Sequence, residues 1–337
     1  MGNTIKRKIL LQMADPSGNK TAFVLNGARS EDYQSIAKYI LEQTDYGAEQ
    51  VAFVKSTNAF DMSGMEFCGN AARAFALMSA RGMIDGKPSE ESRTFMEVSV
   101  SDSRHPVICG IDKDTGHASA SIPLPKRIKT LKHCDFAPAV GKSVRIMEGI
   151  AHLIADDLEY DEEGFDQIRQ AMLEQFDTPA LGVMYLNTKT LEMKPVVYVQ
   201  GVQSTFEEGS CGSGSAAAAY WLATHSSCDA AESDAADSDA DAFAPADSDA
   251  DASAPADSDA DASAPADSDA DASAPADGTY EYELKQPAGT IHASCVIKDG
   301  EPSALYIEGS VKLSDPEYIT IEYESAEDEI GAMSDTW

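Results

Sequence analysis

One order of elements runs along this chain twice: strand, helix, strand, cysteine, helix, strands. In the first pass a short strand at Ile9–Met13 leads through the turn PSGN (16–19) to a strand at Phe23–Leu25. Ser30 then caps a predicted helix from Glu31 to Gln43, with Ile36, Ala37, Ile40 and Leu41 on its apolar face. A strand at Gln50–Val54 precedes Cys68 and its helix, and strands follow at Phe95–Val100 and Ala118–Ile122. In the second pass Val144–Ile154 reads as strand and Glu163–Phe176 as a helix that buries Phe165, Ile168, Met172 and Leu173. The strand Pro195–Gln200 precedes Cys211 and its helix. Strands at Tyr280–Leu284, Ile291–Ile297, Ala304–Leu313 and Tyr318–Tyr323 complete the pass. A repeated order of this kind points to an α+β protein of two pseudo-symmetric lobes, each contributing one cysteine to a cleft between them. The expected boundaries are 1–125 for the first lobe and 126–228 with 278–325 for the second.

Residues 229–277 interrupt the second lobe. There the decapeptide DSDADAFAPA (237–246) is followed by DSDADASAPA at 247–256, 257–266 and 267–276. The segment holds 16 acidic side chains, no Lys or Arg, and almost no large apolar residue, so it is expected to be disordered. Its spaced aspartates lack the glycine and terminal bidentate glutamate of an EF-hand loop. An acidic tail at 326–337 closes the chain.

At 337 residues the chain is long enough for two lobes, and its net charge of −33 argues against nucleic acid or an anionic membrane as partner. No segment is apolar for long enough to span a bilayer. The apolar run at Ile9–Leu11 is too short for a signal peptide, and Lys6 occupies the position where a myristoylation signal needs Ser or Thr. Six cysteines without CxxC or Cys/His spacing read as reduced thiols of a cytoplasmic protein. There is no metal-ligand cluster and no glycine-rich phosphate loop beside a suitable strand, so neither metal nor cofactor is expected.

The chemistry sits at two helix starts. After Cys68, GNAARAFALMSARG reads as a helix ending at Gly82. After Cys211, GSGSAAAAYWLATH does the same. A helix N-terminus carries partial positive charge and unpaired N–H donors. It can bind a carboxylate, and it can lower the pKa of a thiol toward neutrality. Two such starts facing one another can hold one substrate carboxylate with a sulfur on either side of its α-carbon. Cys109, Cys134, Cys228 and Cys295 read instead as small buried hydrophobes.

MEFCGNAAR and SCGSGSAAA resemble the two active-site motifs of the diaminopimelate epimerase superfamily, cofactor-independent racemases and epimerases with a duplicated fold. The resemblance covers nearly the whole chain outside 229–277 and the last dozen residues. Within it, DPSGN (15–19), EQVAFV (49–54), MSGMEFCGNA (62–71), FEEGSCGSGS (206–215) and KQPAGTI (285–291) are similar to the histidine racemases, including the type that serves staphylopine-like metallophores. The resemblance implies that Cys68 and Cys211 are the acid/base pair. It implies that Gly69, Asn70, Gly212 and Ser213 form the carboxylate-binding helix starts, with Asn19 against the substrate. Diaminopimelate epimerases carry a Glu-Arg pair before the second cysteine; here QGVQSTFEEGS has no arginine. A distal carboxylate would want that arginine. Its absence favours a substrate with one carboxylate and leaves Glu49 and Glu208 to recognise a basic or imidazole side chain, unless they are ordinary surface glutamates. His152 either lines the cleft or is a satisfied core histidine. The resemblance thus implies an isomerase that interconverts L- and D-histidine. The competing readings are diaminopimelate epimerase, a proline or hydroxyproline racemase-epimerase, and a non-enzymatic binder. The expected partner is a small amino acid, and a homodimer is compatible with it.

Overall fold

The computed structural model describes residues 4–26, 28–42, 44–101, 103–200, 203–225 and 275–324. Cys228, the acidic tail and the decapeptide insert, apart from residues 275–277, lie outside the described residues. Among the described residues there are seventeen strands, arranged in two sheets, and four α-helices. The first lobe runs β1 (Thr4–Pro16), β2 (Thr21–Val24), α1 (Tyr33–Glu42), β3 (Gln50–Ser56), β4 (Ala59–Met62), α2 (Gly69–Ala80), β5 (Arg93–Val100), β6 (Val107–Asp112) and β7 (His117–Ile122). The second runs β8 (Arg127–Thr130), β9 (Ser143–Ile146), β10 (Ala151–Asp156), α3 (Glu162–Gln175), β11 (Ala180–Leu186), β12 (Met193–Val199), β13 (Ser204–Glu207) and α4 (Gly212–His225). After the insert come β14 (Gly278–Gln286), β15 (Gly289–Lys298), β16 (Glu301–Leu313) and β17 (Glu317–Glu324).

The larger sheet has the order β14-β15-β16-β7-β6-β5-β4-β3-β2-β1-β17, and a further pairing of β16 with β1 closes it on itself. The ring has a physical cause in α2. Every residue of α2 except Ser79 is buried, including Phe75, Leu77 and Met78. A helix apolar on all sides needs cover all round, and strands wrapped about it supply that cover. Phe75 packs against Phe60 with ring centroids 5.0 Å apart, and Phe60 meets Phe23 edge-on at 5.9 Å. The second sheet has the order β13-β12-β11-β10-β9-β8, with β10 and β11 parallel. It carries α3 on one face, over Leu153, Val183 and Val196. On the other face α4, built from Ala216–Ala219 and small flanking residues, reaches both this sheet and β14–β16. A Cβ on Gly214 would sit 2.2 Å from Met184 Sδ, so only glycine permits that approach.

β16 belongs to both lobes, pairing with β15 on one side and β7 on the other. β17 pairs along β1 from Thr4↔Glu324 to Leu11↔Glu317, although the sequence boundaries group 317–324 with the second lobe. Three local expectations also differ. The chain enters α1 through a 3-10 turn at Ser30–Asp32 with no side-chain cap, so Ser30 is not an N-cap. Leu41 is exposed, because Tyr33, Ile36, Ala37 and Ile40 already complete the buried stripe one turn apart. The predicted strand Val144–Ile154 is two antiparallel strands, β9 and β10, with Gly149 at φ 73 in the turn between them.

Candidate active site

Both cysteines occupy the same local geometry. Cys68 is the N-cap of α2 in extended backbone (φ −138, ψ 107), and its Sγ accepts from the Ala71 amide at 3.4 Å. Cys211 immediately precedes α4, and its Sγ accepts from the Gly214 amide, also at 3.4 Å. Each thiol therefore takes the amide three residues on, the position a capping serine or aspartate would use. The two helix starts converge on Ile307 of β16. A Cβ on Gly69 would lie 3.2 Å from Ile307 Cδ1, and one on Gly212 would lie 2.8 Å from the same atom. Asn70 bridges them, with its Oδ1 3.3 Å from the Gly212 Cβ position.

The surroundings of the two thiols differ. Gln50, the first residue of β3, donates to Cys68 Sγ at 3.4 Å, to Asn19 Oδ1 at 2.6 Å and to Thr21 Oγ1 at 2.7 Å. Asn19 in turn donates to Glu49 at 3.1 Å, so Glu49, Asn19, Gln50 and Cys68 form one chain of contacts. Cys211 is buried at 6 % exposure; its Sγ lies 3.8 Å from Ser213 Oγ, and the half-buried Glu208 carboxylate is near enough for its charge to act on the thiol. Its amide donates to Gln286 Oε1 at 2.8 Å, and Gln286 donates onward to Ser215 Oγ at 2.9 Å.

The helix starts lead the sequence to predict low thiol pKa values, and the structure corrects this. Burial pushes Cys68 up to about 11; the Ala71 amide and Gln50 oppose that shift, while the carboxylates of Glu66 and Glu208 add to it. Burial, then the nearby charge of Glu208, push Cys211 well above its ordinary value. Removal from water outweighs the helix ends, so both thiols keep their protons. Glu208 itself is raised to about 7 by burial and by the nearby Glu49. Glu49 keeps solvent contact, yet protein crowds its carboxylate and lifts it above the ordinary range.

Of the residues named from sequence, Cys68, Gly69, Asn70, Asn19, Glu49, Cys211, Gly212, Ser213 and Glu208 come together around this junction. His152 stands behind it: fully buried on β10, it meets Ser213 Oγ through Nε2 at 2.9 Å and does not line the cleft. Burial lowers its pKa to about 3, so the ring is neutral. Gln50, Gln286 and Arg73 were missed. Gln50 and Gln286 are polar residues at the ends of strands, a signal too common to single out alone, and Arg73 lies inside the apolar helix α2, where its burial is set by tertiary packing. Cys109 and Cys295 are buried and Cys134 half-buried, as expected of packing thiols. A cavity of about 750 Å³, lined in part by Lys126, Arg127, Lys129 and Lys132, lies at the far edge of the second lobe and contains neither catalytic candidate. Among the described residues no cluster of three metal-ligating side chains occurs, and no helix is long and apolar enough to cross a membrane.

A duplicated α+β fold with a capped thiol from each half defines the racemase and epimerase class, and solved structures agree on the fold. A predicted epimerase from Pseudomonas aeruginosa superposes with a TM-score of 0.52 at 12 % identity, covering 93 % of this chain and 99 % of that one. A hydroxyproline epimerase from Agrobacterium vitis superposes with a TM-score of 0.50 at 10 % identity, covering 94 % and 92 %. At the level of sequence, the family described as "Histidine racemase CntK N-terminal domain" matches residues 9–233. A histidine racemase of Fusobacterium nucleatum is 31 % identical over 226 residues, 65 % of this chain and 82 % of that protein. One from Staphylococcus aureus is 27 % identical over 218 residues, 60 % and 75 % of the two chains. The protein is an isomerase of the amino acid racemase class, and it belongs to the histidine racemase family.

Proposed function

We propose that the protein interconverts L- and D-histidine, without cofactor, by a two-base mechanism in which Cys68 and Cys211 act on opposite faces of the α-carbon. The observation that carries this reading is the pair of cysteine N-caps with matching amide contacts, converging on Ile307. The substrate carboxylate binds between the two helix starts, where free N–H groups and aligned dipoles favour an anion. One sulfur, as thiolate, takes the α-proton. The electron pair moves into the carboxylate, giving an enediolate that the same N–H groups stabilise more strongly than the ground state. The opposite thiol then delivers its proton to the other face, and the stereocentre inverts.

The raised thiol pKa values fit this sequence of events. The charge of Glu208 holds the proton on Cys211. A cationic amino acid brought against Glu208 and Glu49 offsets that negative field, and ionisation of a thiol becomes easier only once substrate is in place. Glu208, with its own pKa near 7 and its charge acting on the Cys211 thiol, is suited to take the thiol proton. Glu49 faces the same space and suits an imidazole, which donates to a carboxylate and carries charge near neutral pH. The partner is thus a free amino acid, and the setting we infer is the cytoplasm.

The test is a panel of single enantiomers assayed by chiral chromatography. Histidine is expected to racemise faster than diaminopimelate, proline or glutamate, with activity retained in EDTA and hydroxylamine. Epimerisation of LL-diaminopimelate with histidine untouched would refute the substrate assignment.

A further inference from the structure

Arg73 lies one helical turn beyond Cys68 and has no solvent exposure at all. Its Nε donates to Asn70 Oδ1 at 3.2 Å, Nη1 to the Gly309 carbonyl at 3.0 Å and Nη2 to Ser17 Oγ at 2.9 Å. All three acceptors are neutral, and among the described residues no carboxylate lies within ion-pair distance of the guanidinium. Burial draws its pKa down to about 10, against the more distant charges of Asp15 and Glu308, which still leaves it charged at neutral pH. A buried cation without a counterion is costly unless something else offsets it.

Two consequences follow from donor chemistry alone. A guanidinium has no acceptor, so the Asn70 atom that faces it must be the carbonyl oxygen. The Asn70 Nδ2 is thereby turned the other way, and no described residue accepts from it. Asn70 itself packs between the two helix starts, against Gly212. The other two contacts tie Arg73 to the turn at Ser17, whose neighbour Gly18 (φ 91) abuts Ala288 of the second lobe, and to Gly309 of the shared strand β16.

We propose that Arg73 is a positioning residue for the substrate carboxylate: it locks the Asn70 carboxamide so that Nδ2 donates into the carboxylate cradle, and its charge, which Asp15 and Glu308 offset only from beyond ion-pair distance, gains a closer anion when that carboxylate binds. The inference rests on the two-helix cradle of the proposed function but not on the identity of the substrate side chain. It goes beyond the pair of cysteines by assigning the cradle a fixed donor and a fixed charge that the helix ends do not supply.

The experiment measures calorimetric affinity for the amino acid that the wild-type protein racemises, and for the amine obtained by removing its carboxylate (histidine and histamine under the present reading). Arg73→Lys keeps charge but cannot fork to three acceptors; it is expected to weaken amino acid binding by about 10- to 100-fold while leaving amine binding unchanged. Asn70→Ala is expected to show the same selective loss, and Arg73→Lys combined with Asn70→Ala no more than either alone. Asn70→Asp gives a reading that does not depend on Arg73→Lys folding. It supplies a closer counterion, so Tm rises, while the second carboxylate oxygen faces the cradle and repels the amino acid but not the amine. Equal losses for amino acid and amine in the Arg73 and Asn70 variants, or unchanged amino acid binding by Asn70→Asp, would overturn the proposal.

Discussion

The two halves of the site share one backbone device and differ in what surrounds the sulfur. Cys68 is half-buried, and its side-chain partner is a neutral glutamine at the start of β3. Cys211 is buried, and the charge of an ionisable carboxylate, Glu208, acts on its thiol. Behind Cys68 stands the buried cation Arg73; behind the first turn of α4 stands the neutral His152. The duplicated fold therefore delivers two equivalent thiols to one point, while the side chains around them divide the work. In the proposed mechanism the Cys211 half manages the proton, through Glu208, and the Cys68 half manages the anion, through Asn70 and Arg73. Symmetry in the backbone suits a reaction that must run from either enantiomer. Asymmetry in the side chains suits a substrate whose two ends differ in charge.

The largest effect expected of any change falls on the element the halves share. Cys68→Ala and Cys211→Ala should each lower racemisation by about a thousandfold or more, because inversion needs an acid on one face and a base on the other. Chiral chromatography of either enantiomer reads this directly, and an active Cys68→Ala protein would break the equivalence of the thiols. The next effect separates the halves. Glu208→Gln should cut kcat by about 10-fold or more and remove the limb of the pH profile near 7 that Glu208 produces. The same substitution should alter stability with a definite sign. The folded-state pKa of Glu208 lies above the ordinary value of 4.5, at about 7, so the folded protein binds the extra proton in that window and loses stability as pH rises through it. Glu208→Gln abolishes that loss, so its Tm should exceed the wild type's at pH ~8 and converge with it at pH ~4. A Tm difference independent of pH would remove Glu208 from the proton-handling role.

Smaller still is the effect expected at Glu49, on the Cys68 side. Glu49→Gln should raise KM for histidine by about 10-fold, on the order of one charge-assisted hydrogen bond, with little change in kcat. Steady-state kinetics of Glu49→Gln and Glu208→Gln side by side sharpen the comparison: the first moves KM, the second kcat. If both changes fall on kcat, the division between side-chain recognition and proton handling is wrong.

How much of this was legible in the residues depends on the range of the signal. The helix starts were, because a cysteine followed by small residues, an apolar helix and Gly82 in the left-handed region are local features. So was the duplicated α+β order. Ring closure was not: it depends on β16 pairing with β1 and on β17 running along β1, contacts that join the ends of the chain. The partners of the thiols were hidden for the same reason. Arg73 and Gly309 are 236 residues apart, and Cys211 and Gln286 are 75 apart across the acidic insert. The thiol pKa values came out in the opposite direction because a helix end is visible in sequence, whereas the burial that outweighs it is not. His152 was left between two readings, and its place was decided by packing against Ser213.

The central claim is that two thiols, one from each half, work on opposite faces of one α-carbon. Racemisation of L-histidine in D2O, stopped at low conversion and resolved into its enantiomers by mass, tests it most directly. The account predicts a D-histidine product carrying one α-deuterium, delivered by the exchanged thiol, while the recovered L-histidine keeps its α-protium. Deuterium entering recovered substrate and product at equal rates would mean that a single group serves both faces, and would contradict the two-thiol account.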